Sequence, residues 1–215
     1  WEDGWPVAQP VELNTRDGWS ETITFDRPLD PGWIGIRQEP GLVSQVFEQK
    51  LSLIGRGTPM DHEAPVFVGR RQQHQSCTYS VDVEVDGIGG LSVRYDEWTH
   101  YDIEVGAGPE GTHVTARAVI PTLRQEWRAP LASGRATLVL ESLRPEGAFG
   151  LAVVTCDVLR LKVVGEDGVE QVLAEIDGRH LSAETAGSFT GRVVGVYCDT
   201  GRLECRQWRY RGDND

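Results

Sequence analysis

Two Glu-x-Asp triplets are the sharpest candidates for chemistry in this sequence: Glu84-Val85-Asp86 and Glu175-Ile176-Asp177. On a β-strand, side chains two positions apart share a face at roughly 6.5 Å, and glycoside hydrolysis uses two carboxyl groups about 5 to 9.5 Å apart. A glycine follows each aspartate, and Asp-Gly is a typical turn pair. We therefore interpret both triplets as carboxylates that end strands rather than as catalytic pairs.

Motifs for nucleophilic or metal chemistry are weaker still. The segment GSFTG at 187–191 has the glycine spacing of a serine elbow, but a phenylalanine occupies the position that needs a hydroxyl. The five histidines show neither the H-x-H nor the H-x-x-x-H spacing that brings two ligands onto one face. We therefore predict no catalytic residue and no metal site in this chain.

The four cysteines do not form a disulfide framework, because none of them falls in a C-x-x-C pair. Cys77, Cys156 and Cys198 lie in apolar, strand-like runs, where a free cysteine usually acts as a small buried hydrophobe. Only Cys198 and Cys205 could be bridged, across a turn at residues 199–201, and geometry decides that alternative.

The charge of the chain excludes some partners. Its net charge is −12 and its pI is about 4.9, which argues against a broad basic surface for nucleic acid or anionic membranes. The sequence has no run of about 18 apolar residues and no visible signal peptide. We expect no nucleic acid and no membrane as partner, and we favour a cytoplasmic location.

Apolar and polar residues alternate in the central part of the chain, which predicts half-buried strands. The pattern runs through residues 77–85, continues at 91–95 after an Asp86-Gly87 turn, and returns at 101–105. These segments predict three consecutive antiparallel strands. Further short strands are predicted at 21–25, 33–37, 112–120, 136–143, 158–164, 169–176, 192–197 and 206–210.

Turn signals at intervals of about eight to twelve residues favour an all-β fold, an antiparallel β-sandwich or jelly roll. A helical stripe from Val43 to Ile54 competes with a strand at 50–54, and we favour the strand.

Residues 1–10, WEDGWPVAQP, have no period and are interpreted as an arm before a single domain at 11–215. The Arg-Gly-Asp tripeptide at 211–213 is interpreted as part of a frayed polar tail.

Tryptophans offer either a sugar-binding surface or core packing. A groove lined by such rings could stack sugars, but aromatic rings also dominate protein interiors, and we favour the core. The residues concerned are Trp19, Trp33, Trp98, Trp127 and Trp208.

Three separated motifs carry a family resemblance. They are RRQQH at 70–74, GLSVRY at 90–95 followed by WTHY at 98–101, and GSFTGRVVGVY at 187–197. In order and approximate spacing they resemble the C-terminal concanavalin A-like β-sandwich of family 43 glycoside hydrolases, the β-xylosidase and α-arabinofuranosidase group. The resemblance covers roughly residues 25–211, and the opening WEDGWP looks like the tail of the propeller domain that precedes this sandwich.

The resemblance implies a non-catalytic accessory domain. In that family the catalytic carboxylates lie on a five-bladed propeller, and none of their motifs occurs here, so we expect no activity of this chain alone. By motif match, Phe189 and Thr190 would wall the sugar pocket of the partner propeller, whose substrate would be a xylo- or arabino-oligosaccharide. A core position for Phe189 is the alternative.

The resemblance also suggests an interface and leaves two questions open. The candidate interface residues are Trp1, Trp5, Arg70, Arg71, Gln72, Gln73 and His74. The alternative function is an autonomous, lectin-like carbohydrate-binding module. Similar sandwiches sometimes hold Ca²⁺, and acidic turns are available here, although no motif indicates a calcium site.

Overall fold

A computed structural model describes residues 18–108, 111–145, 157–187 and 189–213. The strands are β1 (Trp19–Ile23), β2 (Ser44–Phe47), β3 (Lys50–Ile54), β4 (Phe67–Arg71), β5 (Ser76–Asp96), β6 (Thr99–Gly108), β7 (Gly111–Ile120), β8 (Leu123–Leu131), β9 (Arg135–Leu143), β10 (Val158–Val164), β11 (Glu170–Asp177) and β12 (Val193–Asp213). Two short helices, α1 (Pro40–Val43) and α2 (Ala183–Ala186), and a 3₁₀ turn (Gly178–Leu181) complete the described elements. None of these helical segments is long and apolar enough to cross a bilayer.

Two 21-residue strands, β5 and β12, pair along nearly their whole length and form the centre of the fold. The first half of β5 pairs with β9 and its second half with β6. The start of β12 pairs with β4, and its later part with β3 and β1. The hydrogen-bonded network therefore folds into a first layer, β8-β7-β6-β5-β12-β4, and a second layer, β11-β10-β9-β5-β12-β3-β2, with β1 beside the end of β12.

Gly87 marks the point where β5 passes from the second layer to the first. Its φ is 111°, and a Cβ built there would lie only 2.3 Å from the carbonyl oxygen of Thr200. Asp86 and Ile88, on either side, both remain paired with β12. The prediction of separate strands at 77–85 and 91–95 is therefore wrong, because the glycine bends one continuous strand instead of reversing the chain.

The turn predicted at 199–201 is likewise absent, since β12 continues through it with a register shift between Cys198 and Thr200. Cys77, Cys198 and Cys205 are free and buried, so the alternative of a Cys198–Cys205 bridge is not realised. Burial raises the pKa of the Cys198 thiol to about 11. Cys156 lies outside the described residues.

Most of the other predicted strands are confirmed. The segment at 50–54 is β3, and the alternation at 112–120, 136–143, 158–164 and 169–176 corresponds to β7, β9, β10 and β11. Residues 33–37 form no strand and contribute one bridge, between Ile34 and Gly69. Residues 211–213 are not frayed, because they pair with the start of β5. Strand β8 was not predicted, although Leu123, Trp127, Ala129 and Leu131 lie at alternate positions; only Ala129 among them is buried.

The core lies between the two layers and takes every second residue of the long strands. Val81, Val83 and Val85 of β5 face it from the second layer, and Leu91 and Val93 face it from the first. Trp33 and Trp208 are both buried, and their rings meet edge-on at 5.0 Å, which confirms the core interpretation for these two tryptophans. Trp98 is instead 64% exposed.

Candidate functional site

The segment between α2 and β12 presents Phe189 to solvent. Gly187 and Gly191 flank it with left-handed φ angles of 70° and 71°, which glycine adopts without steric cost. The Phe189 residue is 99% exposed, so the alternative of a core position is wrong. An exposed phenyl ring forgoes about 1.5 to 3 kcal/mol of burial free energy, which makes Phe189 the leading candidate for a binding group.

Two hydrogen bonds of Thr190, the residue after Phe189, hold the base of this loop. The Thr190 hydroxyl donates to the carbonyl oxygen of Tyr95 at 3.1 Å. Nη1 of Arg71 donates to the backbone carbonyl oxygen of the same threonine. Thr190 therefore anchors the loop to the end of β5, while the neighbouring Phe189 ring points away from the domain.

Arg192 fixes the chain immediately after the loop. Its two Nη atoms donate to the two carboxylate oxygens of Asp157, and Nη2 reaches Oδ1 at 2.9 Å. Nε donates to the carbonyl oxygen of Leu181 at 2.8 Å, and Nη2 also donates to that of Gly178 at 2.6 Å. The Asp157 carboxylate additionally accepts from the Ser142 hydroxyl at 2.7 Å. Such bidentate, charge-assisted contacts order both partners. The chain at the C-terminal end of the Phe189 loop is therefore held rigidly.

A buried polar face lies on the outer side of the first layer. Residues on β6, whose alternation predicts a wet face, are instead buried: His100, Asp102 and Glu104 are each less than a tenth exposed. Nδ1 of His100 lies 2.9 Å from the Asp102 carboxylate. Arg117 on β7 donates to Glu104 at 2.6 Å, and the Tyr197 hydroxyl on β12 donates to the same carboxylate at 2.6 Å.

The charges of this face compensate one another. Burial by itself raises the pKa of Asp102, but His100 beside it and Arg117 nearby outweigh burial and hold the pKa below its ordinary value. Burial and the Glu104 carboxylate raise the pKa of Tyr197 well above its ordinary value. The Tyr197 hydroxyl therefore remains a hydrogen-bond donor.

The segment between β3 and β4 covers part of the polar face. Nε and Nη2 of Arg94 donate to the carbonyl oxygens of Met60 and His62, each at 3.3 Å. Met60 itself packs with Phe67 and Tyr197 in a second small core. The sequence of β6 does not predict this burial. Its polar residues have the pattern of a solvent-exposed face, and the face is covered in part by the distant segment between β3 and β4.

A family profile described as the "Beta xylosidase C-terminal Concanavalin A-like domain" matches residues 22–208, which is most of the chain. The chain belongs to this family. The fold class predicted from the sequence is therefore confirmed, and the domain is the C-terminal accessory domain of this group of enzymes.

Relatives of this concanavalin A-like domain are longer proteins. The non-reducing end alpha-L-arabinofuranosidase BoGH43B of Bacteroides ovatus is 25% identical over 200 residues, which are 89% of this chain and 34% of that protein. The structure of the Bacteroides ovatus Xyloglucan PUL GH43B has a TM-score of 0.75 at 22% identity and covers 98% of this chain and 41% of its own. The xylan beta-1,4-xylosidase of Bacillus halodurans C-125 has a TM-score of 0.75 at 21% identity, with coverages of 96% and 41%.

The chain thus spans about a third of the curated relative and about two fifths of the two solved chains. At these identities, the solved structures establish a shared fold. The remaining length of each relative accommodates further structure beside the concanavalin A-like domain.

The two Glu-x-Asp triplets have structural partners in this domain. Glu84 accepts from Arg206 at 2.7 Å and from Arg135 at 3.0 Å, and these hydrogen bonds lower its pKa. Glu175 accepts from Arg160 at 2.6 Å. The carboxylate of Asp177 caps the 3₁₀ turn by accepting from the backbone amide of Arg179 at 3.0 Å.

The predicted interface residues on the concanavalin A-like domain differ in exposure. Arg70 is mostly covered, because it pairs with Glu21 at 2.7 Å and its guanidinium lies 5.5 Å from the Trp33 ring centroid. His74 is buried, and its Nδ1 lies 2.5 Å from the Tyr210 hydroxyl.

The remaining residues of this prediction are more accessible or lie elsewhere. Arg71 and Gln73 are exposed, and Gln72 is half-buried with its side-chain amide donating to the carbonyl oxygen of His74 at 2.8 Å. Trp1 and Trp5, with the rest of the predicted arm, lie outside the described residues.

A cleft of about 790 Å³ lies between the loop after β1 and the edge strand β2. Phe25 and Trp33 lie in its lining and are buried, whereas Phe47 is 64% exposed. Across the described ranges, no three His, Cys, Asp or Glu side chains are grouped so that they could hold a metal ion.

Proposed function

We propose that this accessory domain packs against the catalytic domain of its own polypeptide and that Phe189 closes one side of that domain's sugar pocket. The observation that carries the proposal is the 99% exposed Phe189 on a loop whose base is fixed. The domain itself supplies positioning and exclusion of water, and the proton transfers belong to the partner. A wall of this kind affects turnover by holding the sugar in its reactive position.

The chemistry of the loop suits contact with a sugar. A phenyl ring offers an apolar face to the C–H groups of a pyranose or furanose ring, and it carries no group that would compete for protons. Two relatives are named as an arabinofuranosidase and a xylan xylosidase. The substrate class that we propose for the whole protein is therefore a xylo- or arabino-oligosaccharide, and the proposed partner is a five-bladed catalytic propeller.

The test is steady-state kinetics of Phe189→Ala in the polypeptide that includes the catalytic domain, with short xylo- and arabino-oligosaccharides as substrates. We expect a lower kcat/KM because the variant removes one wall of the pocket. Values of kcat and KM equal to those of the unchanged protein would contradict the pocket-wall role.

A second candidate function is direct binding of an oligosaccharide in the cleft beside β2. The cleft combines an exposed phenyl ring, Phe47, with the carboxylates of Asp26, Glu39 and Glu48, which is a lining suited to stacking and hydrogen bonding with a neutral sugar. Calorimetric titration with xylohexaose separates the two candidates. A saturable binding heat that is lost in Phe47→Ala would support direct oligosaccharide binding in the cleft. If the titration gives no binding heat, the first proposal, in which Phe189 walls the pocket of the catalytic domain, is favoured.

A further inference from the structure

The Arg71 guanidinium bonds to the backbone of the Phe189 loop rather than to an acid. The chain has 33 Asp and Glu residues against 21 Lys and Arg residues, and the neighbouring Arg70 pairs with two carboxylates. Within the described ranges, the exposed side chain of Arg71 forms a single hydrogen bond, from Nη1 to the carbonyl oxygen of Thr190. Charge compensation therefore does not account for this arginine.

Thr190 is held from both of the strands that flank the start of β12. Val193, the first residue of β12, pairs with Arg71 of β4 and with Arg94 of β5. Tyr95 directly follows Arg94, and its carbonyl oxygen accepts from the Thr190 hydroxyl at 3.1 Å. Each neighbouring strand lies about 4.8 Å from β12, so the two hydrogen bonds reach Thr190 from different directions. Loss of either one leaves the Thr190 peptide able to rotate about the other.

The Arg71 side chain lies against Gly191, where φ is 71° and where a built Cβ would lie 4.0 Å from Nη1. At Arg192 the chain is paired again, since its carbonyl oxygen accepts from a backbone amide just after β4 at 3.1 Å. Thr190 and Gly191 alone separate this paired chain from Phe189. Glycine restricts the backbone less than any other residue, so the orientation of Phe189 depends on the bonds made by Thr190.

From these contacts we infer that Arg71 is a positioning residue, which orients the Phe189 ring toward the sugar without touching the sugar itself. The inference rests on the proposed function, because it requires Phe189 to wall the pocket. A residue that is 99% exposed buries almost no area in its own domain, so packing there does not orient its ring. Without the Arg71 bond, the ring is present but is less often in the position that closes the pocket.

A double-mutant cycle in the polypeptide that includes the catalytic domain tests this role. The four proteins are the unchanged chain, Arg71→Met, Phe189→Ala and the double variant, and the readout is kcat/KM on a short xylo-oligosaccharide. Methionine keeps an unbranched side chain and removes every donor. We expect Arg71→Met alone to lower kcat/KM about threefold, which is the loss that one net hydrogen bond implies. In the Phe189→Ala background, the same change should alter kcat/KM less than about 1.5-fold.

Arg56→Met is the matched control. Arg56 is also exposed, and its Nη2 also donates to a backbone carbonyl oxygen, that of Leu42 at 2.8 Å, which lies on α1. We expect this variant to leave kcat/KM within about 1.5-fold of the unchanged protein. If Arg71→Met lowers the melting temperature, Arg71→Gln takes its place in the cycle, because glutamine keeps a polar side chain at the exposed end of β4 and is shorter than arginine.

The cycle separates the failure of this inference from that of the pocket wall. Equal losses with and without Phe189 would show that Arg71 acts independently of the ring, and would overturn the positioning role. Unchanged kcat/KM in the Arg71 variant would also overturn it, even where Phe189→Ala lowers kcat/KM and the pocket wall stands. If Phe189→Ala itself has no effect, the pocket wall fails, and the positioning role fails with it.

Discussion

Arg192 and Asp157 form a buried ion pair that joins the start of β12 to the start of β10. The Arg192 side chain is 11% exposed and that of Asp157 only 2%. Two guanidinium nitrogens donate to two carboxylate oxygens, and Arg192 directly follows the loop that carries Phe189. The position of the exposed ring thus depends on a contact between the two layers.

Breaking this pair is expected to cost stability. Arg192→Met leaves the Asp157 carboxylate buried without its cation, so the free energy of unfolding should fall by about 3 kcal/mol. Adding Asp157→Asn removes the uncompensated charge and should restore part of that loss. Urea unfolding measures both, with Arg27→Met as a control because Arg27 is 87% exposed. A loss in Arg192→Met no larger than in the control would contradict the structural role.

Phe189→Ala is expected to lower kcat/KM of the full polypeptide about tenfold, which corresponds to about 1.4 kcal/mol of transition-state stabilisation. The melting temperature should be unchanged, because a residue that is 99% exposed buries almost no area in this domain. Leu42→Ala is the matched control, since Leu42 is 66% exposed and lies on α1. Equal losses in both variants would indicate a general effect of surface change.

Gly87→Ala is expected to destabilise the domain by at least about 2 kcal/mol. Gly87 has a φ of 111°, and the new Cβ would lie 2.3 Å from the carbonyl oxygen of Thr200, so both the backbone and β12 must shift. Gly41→Ala is the control, because a Cβ there meets nothing within 4 Å. Thermal unfolding of the two variants measures the difference. Equal melting temperatures would contradict a requirement for glycine at the bend where β5 passes between the layers.

Because the Asp102 carboxylate is buried and paired, we expect the free energy of unfolding to decrease at acidic pH. Its folded pKa lies below the ordinary value of 3.8, so its contribution is fully present above that value and is lost as the pH falls through the folded pKa. Urea unfolding between about pH 2 and about pH 6 should therefore show a smaller acid-induced loss in Asp102→Asn than in the unchanged protein. Asp26→Asn, at an exposed carboxylate, should retain the full loss. An identical pH dependence in Asp102→Asn would contradict the assignment.

Local features of the sequence were sufficient for several strands and for the glycine-flanked loop that carries Phe189. Alternation of period two marks β3, β7, β9 and β10, because a half-buried strand needs an apolar residue at every second position. The glycines at 187 and 191 indicate a loop with unusual backbone angles. The separated motifs at 70–74, 90–101 and 187–197 indicated the family that the profile match shows.

Tertiary structure alone decided three other features. Asp86-Gly87 reads as a turn, yet pairing with β12 on both sides keeps β5 continuous, and no local signal distinguishes these outcomes. His100, Asp102 and Glu104 have the pattern of a solvated face, but the segment between β3 and β4 covers part of the face that carries them. Trp98 and Leu123 lie at the same end of the first layer as Phe189 only because the strand order places their turns there. The physical reason is common to all three: burial and proximity depend on which distant segments meet, whereas alternation reports only the period of one strand.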